Sequence, residues 1–148
     1  MGAKIAKPKP GADAYRLDEQ VGFVLRQVSQ RHTVIFAERI GCDLTAMQWA
    51  VLAKLREIGA TSQNQLGRAT AMDVATVKGV VDRLRGRGLV DIDSDPDDAR
   101  RRVVALTDEG MALVDAHAAA ALAISDETLA PLTAAERKTF LALLLKLR

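Results

Sequence analysis

Residues 62–107 read SQNQLGRATAMDVATVKGVVDRLRGRGLVDIDSDPDDARRRVVALT, and the fold turns on this stretch. Ser62 and Gln65 hold the S-x-x-Q spacing of a capping box, which satisfies two orphan backbone donors and predicts a short helix with Leu66 and Ala69 turned inward. Asp73 is the expected N-cap of the next helix, whose apolar stripe is Val77, Val80, Val81 and Leu84. Gly86 and Gly88 stop it. Val90 and Ile92 then alternate, the turn Ser94-Asp95-Pro96-Asp97-Asp98 follows, and Arg102, Val104 and Leu106 alternate on the return limb. Two alternating limbs around a Pro/Asp-rich loop predict a β-hairpin with a connection longer than a two-residue turn.

Two short capped helices followed at once by a hairpin have the shape of a winged helix-turn-helix. At 100° per residue, the face of the second helix opposite its stripe carries Ala75, Thr76, Lys78, Gly79, Asp82 and Arg83. That face is free of large apolar residues. Gly79 in mid-helix costs ~1 kcal/mol relative to alanine. Beside Ala75 it lets the helix backbone lie close to a major-groove wall, while Thr76, Lys78 and Arg83 can reach bases or phosphates. Arg100, Arg101 and Arg102 follow directly on the acidic turn, and cations at a hairpin tip suit the negative potential of a narrow minor groove. The neighbouring aspartates would repel phosphate. Pairing of Asp98 with Arg100, which would orient the arginine, resolves the conflict.

Outward from this unit the pattern is helical. Leu17, Val21, Val24, Val28 and Ile35 recur at helical intervals between Arg16 and Glu38, with His32 on the same stripe. Gly41 ends that helix, and a second runs from Thr45 to Ile58. Beyond the hairpin, Thr107 caps a long alanine-rich helix, Pro131 breaks the chain, and Thr133 with Glu136 forms a capping box for the last helix. Phe140, Leu141, Leu143, Leu144, Leu145 and Leu147 make that helix apolar on nearly every side, so it must be covered on every side, and a second copy is the expected cover. Residues 1–13, with Lys4, Lys7 and Lys9 among prolines, read as a disordered basic tail. The fold class is therefore mainly α with a small β-hairpin wing. The expected organisation is one domain over 14–148, with a DNA-binding lobe at 44–106 and dimerisation helices at 14–40 and 107–148.

Composition excludes several classes. Of 148 residues, 49% are hydrophobic and 27% charged, the balance of a globular domain. No apolar run approaches the ~20 residues that span a bilayer, so no membrane partner is expected. The single cysteine, Cys42, allows no internal disulfide and fits a reducing cytoplasm. Two histidines and one cysteine are too few for a structural zinc site, and no metal or cofactor is expected. No phosphate loop, nucleophile elbow or H-E-x-x-H appears, and His32 and His117 have no context marking a catalytic pair, so the chain is not read as an enzyme. A net charge of +2 says nothing by itself about nucleic acid.

The chain resembles the MarR family of bacterial transcriptional regulators. The resemblance rests on Leu44-Thr45 with Gln48-Trp49; Ser62-Gln63-Asn64-Gln65-Leu66-Gly67; Met72-Asp73 with Val80-Val81-Asp82-Arg83-Leu84; Arg87-Gly88-Leu89-Val90; Asp95-Pro96-x-Asp98-x-Arg100; and Leu106-Thr107-x-x-Gly110. It implies a homodimer whose first, fifth and sixth helices form the dimer layer and whose two winged lobes read palindromic double-stranded DNA. It also implies that Asp98 and Arg100 reach the minor groove and residues 74–83 the major groove. The DNA-contacting set is then Ser62, Gln63, Ala75, Thr76, Lys78, Gly79, Arg83, Asp98, Arg100 and Arg101. Two positions depart from the family pattern: Ala99 stands where an arginine is usual, and Ser94 where a basic residue is frequent.

Many relatives are repressors released by a small ligand bound between the dimer layer and the lobe. Trp49 lies about 160° around its helix from Val51, facing away from the lobe's own core. His32 with Arg31 beside it could bind a carboxylate, and Phe36, one turn on, could stack on a ring. The expected effector residues are thus Arg31, His32, Phe36 and Trp49. Leu17-Asp18-Glu19-Gln20-Val21-Gly22-Phe23 and residues 70–79 are similar to members controlling catabolism of hydroxycinnamates or pyridine carboxylates. The similarity implies a repressor of a catabolic operon responding to an aromatic acid or its thioester. Alternatives are an oxidant sensor acting through Cys42 and a ligand-independent architectural DNA-binding protein. Asp43 would raise the Cys42 pKa, and no Lys or Arg within two residues would lower it.

Overall fold

The structure is a computed structural model and describes residues 15–148; the expected basic tail over 1–13 lies outside them. Its helices are α1 (Val21–Arg39), α2 (Ala46–Ile58), α3 (Gln63–Ala69), α4 (Val74–Gly86), α5 (Asp108–Thr128) and α6 (Ala134–Leu145), with strands β1 (Val90–Ser94) and β2 (Arg102–Leu106) between α4 and α5. This is the mainly α fold with a hairpin wing that the sequence predicts. None of the described helices is long and apolar enough to cross a membrane.

Side-chain caps fix the helix starts. Asp73 accepts from the Thr76 N–H at 2.7 Å, and Thr107 from Gly110 at 3.1 Å. Thr133 and Glu136 form the expected reciprocal box. The Ser62 box is only half made: Ser62 accepts from the Gln65 N–H at 3.3 Å, but the Gln65 side chain accepts from the Thr61 hydroxyl at 2.9 Å instead. Buried Thr61 needs that partner, because its backbone bridges β2 at Val104. A complete box that the sequence reading passed over joins Thr45 and Gln48 at the start of α2. The first helix also begins later than expected. Leu17–Glu19 form a separate 3₁₀ turn, and extended Gln20 divides it from α1.

Two apolar clusters divide the chain. The larger joins α2, α3, α4, the hairpin and the start of α5 through Val51, Leu52, Leu66, Val77, Val81, Leu84, Val104 and Val114. The smaller joins Ile35, Phe36 and Ile40 to Ile124 of α5. Cys42 and Trp49 touch both. Ala69 does not enter the core as predicted, because seven-residue α3 turns only Leu66 and Gly67 inward. Simple alternation also fails on β2, where Val103 and Val104 are both buried. Residues 60–65 cover the second face, and Val103 lines a groove with Ala60, Thr61 and Gln65.

The wing is welded to α5 at Gly110. A Cβ there would lie 2.0 Å from the Leu89 carbonyl oxygen, so only glycine lets the first turn of α5 settle on the end of α4 and the start of β1. Thr107 closes the same joint, its N–H donating to Leu89 and its hydroxyl to the Gly88 carbonyl at 2.7 Å. The motif Leu106-Thr107-x-x-Gly110 is therefore a close-packed junction, and its physical basis is steric.

Candidate nucleic-acid interface and ligand cavity

The second helix of the helix-turn-helix presents the face the sequence assigned to it. Val77, Val80, Val81 and Leu84 are buried, while Ala75, Lys78 and Arg83 are exposed and Thr76 and Gly79 half-buried. A Cβ on Gly79 would meet only the Arg83 guanidinium, at 3.5 Å, so the glycine answers no packing need of this chain. Lys78 pairs with Asp82 at 2.6 Å across one helical turn. Such an exposed pair contributes little and yields readily to a phosphate. Gly67 brings α3 close to α4, since a Cβ there would stand 3.1 Å from the Met72 carbonyl oxygen. Ser62 and Gln63 lie half-buried at the start of α3. Asn64 and Arg68, exposed on α3 and lining a groove with Met72, Asp73 and Val74, were not singled out from the sequence. Their signal was only that they are the polar positions of a helix too short to show a period.

The wing tip explains its own acidity. Asp95 accepts from the Asp97 N–H at 2.9 Å, and Asp98 from the Arg100 N–H at 3.1 Å, so both carboxylates shape the loop from within. Asp98 also accepts from Arg100 Nε at 3.2 Å. Those bonds, led by the backbone one, hold the Asp98 carboxyl below the usual carboxylate range. Arg100 itself is 91% exposed, oriented at its base and free at its tip. Arg101 is exposed too, its backbone carbonyl closing the loop to the Asp95 N–H at 2.8 Å.

A second site lies where the two clusters meet. His32 and Phe36 of α1, Ala46 and Trp49 of α2, and Ala121, Ile124 and Ser125 of α5 line a cavity of about 180 Å³. Three of the four expected effector residues therefore converge. Arg31 is the exception and does not line the cavity. Its guanidinium turns along α1 to the end of α5, donating to the carbonyls of Thr128 at 2.5 Å and Glu127 at 3.1 Å. Carbonyls at a helix C-terminus carry the negative end of the helix dipole and are good acceptors for a cation, which is why the arginine goes there. His32 Nδ1 lies 2.8 Å from the Thr128 hydroxyl. The α5 contribution was not legible in sequence, because an alanine-rich helix gives no sign of which face meets α1.

Cys42 is half-buried, and burial pushes its thiol up from its ordinary value; Arg87 pulls the other way and Asp43 adds to the rise. Arg87 is spatially near because its guanidinium donates to the Asp43 carbonyl, a proximity invisible in sequence. Burial thus works against the thiolate, the form that would react with oxidants.

With this geometry in place, comparison with known proteins is direct. The MarR family profile matches residues 44–101, from the start of α2 to the wing tip. The transcriptional repressor NicR of Pseudomonas putida is 45% identical to this chain over 90% of it and 85% of its own length. A probable transcriptional regulator of Pseudomonas aeruginosa is 51% identical with a TM-score of 0.85, covering 90% of this chain and 100% of its own. BpsR of Bordetella bronchiseptica, whose DNA binding is regulated by 6-hydroxynicotinic acid, is 43% identical with a TM-score of 0.85, over 90% of this chain and 96% of its own. The chain belongs to the MarR family of winged helix-turn-helix transcriptional regulators.

Proposed function

We propose that the protein is a homodimeric repressor of a catabolic operon that leaves a palindromic operator when a small aromatic acid fills the cavity between α1, α2 and α5. The observation that carries this reading is the convergence of His32, Phe36 and Trp49 on one cavity at the seam between the lobe and the terminal helices. Aromatic walls suit a flat ring, and the His32 imidazole and the Ser125 hydroxyl give it polar anchors. The volume of about 180 Å³ is below the ~300–1,000 Å³ typical of drug-sized ligands, which favours a single-ring acid over its thioester. BpsR supports the class of ligand, and NicR the sign of regulation.

The DNA-contacting residues in this reading are Ala75, Thr76, Lys78, Gly79 and Arg83 of α4, Ser62 and Gln63 at the start of α3, and Asp98, Arg100 and Arg101 of the wing. The second copy covers α1 and α6, whose Val21, Leu25, Leu141 and Leu143 are exposed in one chain. A ligand wedged at the seam changes the angle between lobe and dimer layer, and with it the spacing of the two recognition helices; a palindrome tolerates only one spacing.

Trp49 is the sole tryptophan, so its fluorescence reports directly on the cavity. Titration with 6-hydroxynicotinate should change that emission and release the protein from its own upstream DNA in a gel shift. His32→Ala should retain DNA binding and lose release; a His32→Ala protein that is released normally removes His32 from the site.

A further inference from the structure

We infer that Thr128 is a positioning residue that decides which nitrogen of His32 meets the effector, and so favours an effector that brings an N–H or O–H to that nitrogen. The inference rests on the effector reading above. The Thr128 hydroxyl oxygen lies 2.8 Å from the Ile124 carbonyl oxygen and 2.8 Å from His32 Nδ1. A carbonyl only accepts, so the single hydroxyl proton goes to Ile124. The same oxygen must then accept from His32, and Nδ1 carries the proton. Nε2 is left as the lone-pair nitrogen of the neutral ring. The ring lines the cavity, and its only hydrogen bond to the described residues is the one at Nδ1.

Thr128 is itself held in place. Arg31 grips its carbonyl at 2.5 Å, and Arg39 Nε pairs with neighbouring Glu127 at 2.8 Å. Arg31, His32 and Arg39, all on α1, thus converge on the last turn of α5. This gives Arg31 a place in the site although it does not reach the cavity: it fixes the residue that fixes the histidine.

The consequence is chemical selectivity. An acceptor nitrogen on a ring that lines a cavity with Phe36, Trp49 and Ile124 rewards a ligand with an O–H or N–H. A neutral acid shares its own proton with Nε2. A carboxylate arriving as the anion binds with one proton taken from solvent onto Nε2, so charge and proton count balance in both cases. Thr128 serves both states unchanged, because Nδ1 is protonated in imidazole and imidazolium alike. The opposite tautomer would present an N–H donor there, which suits a carboxylate anion and not a ligand N–H or O–H.

The test combines imidazole nitrogen NMR of the ligand-free protein with Trp49 fluorescence titrations of 6-hydroxynicotinate, nicotinate and benzoate. His32 is assigned against the His32→Gln protein, since the chain has only two histidines. The expected result is the Nδ1–H form in the wild type. Thr128→Val should lose that form and bind 6-hydroxynicotinate, which keeps an O–H or ring N–H, at least about tenfold more weakly relative to benzoate, with unliganded operator binding unchanged. Thr128→Ser, which keeps the hydroxyl, should restore both signals. An Nε2–H tautomer in the wild type overturns the inference, and so does a Thr128→Val protein that changes tautomer but keeps wild-type affinity. If the wild type binds none of the three acids, the effector reading fails and takes this inference with it.

Discussion

Helices α4 and α6 are of similar length and both rich in branched aliphatic residues, yet one finishes its packing within a single chain and the other does not. In α4 the apolar residues form one stripe, and Val77, Val80, Val81 and Leu84 are all buried by α2, α3 and the wing. In α6 they surround the helix, and not one residue is buried. The same contrast separates the whole lobe from α1, where Val21, Val24, Leu25 and Val28 stay exposed. A one-sided stripe asks for one neighbour, and the chain supplies it. A helix apolar all round asks for more sides than a chain of this size has left to give. Fully burying one such leucine contributes about 1.5–3 kcal/mol, which is the driving force available to the second copy proposed as their cover.

The sharpest way to break the contrast is to truncate one leucine on each side of it. Leu52→Ala, at the fully buried centre of the lobe, should cost about 2–5 kcal/mol of stability in a denaturant melt while leaving the mass in light scattering unchanged. Leu143→Asp on α6 should instead lower the mass in light scattering and remove the dependence of melting temperature on protein concentration that a dimer shows. A monodisperse, unaltered Leu143→Asp protein would contradict the proposed cover. Next in size, Arg100→Ala should weaken operator binding by about 1–3 kcal/mol in a gel-shift titration while leaving mass and melting temperature unchanged, which separates lobe function from dimer assembly. Gly79→Ala should raise stability by about 1 kcal/mol, because the new Cβ has room, and weaken operator binding, because the groove wall does not give it that room. A Gly79→Ala protein that binds DNA normally would detach this face of α4 from the groove.

The smallest effect is expected from acid. Backbone N–H donors at the helix starts hold Asp73 of the lobe and Glu136 of α6 below their ordinary carboxylate values. A depressed folded pKa means the cap contributes fully above the unfolded value and is lost as pH falls through the folded one. Melting temperature should therefore drop as pH is lowered from the ordinary carboxylate values through the depressed ones. Asp73→Asn should flatten that dependence for the lobe, and Glu136→Gln for α6, each checked by a pH series of thermal melts.

How much of this was legible in the sequence follows the range of the interactions. The Asp73, Thr107 and Thr133 caps were readable because donor and acceptor lie three residues apart, and the Asp98–Arg100 pair because it spans two. Gln65 went astray because its side chain had a competitor: Thr61, buried by the distant strand β2, takes it from Ser62. Arg31 went astray for the same reason, drawn to carbonyls 96 and 97 residues away rather than to a ligand. His32, Phe36 and Trp49 could be named as a set only by helical phase, and nothing in the sequence named the α5 wall that closes their cavity.

The sequence by itself determined the order of elements, their caps, the buried face of α4 and the acidic frame of the wing. These depend on residues within a turn or two of each other, where backbone geometry leaves little choice. Only the tertiary structure decided that Gly110 is a steric lock on Leu89, that Thr61 forms an outer edge to the wing, and that α1 meets α5 at Thr128. Each of those depends on two surfaces brought together from far apart in the chain. A carbonyl or hydroxyl gives no sign in sequence of which distant partner will reach it first.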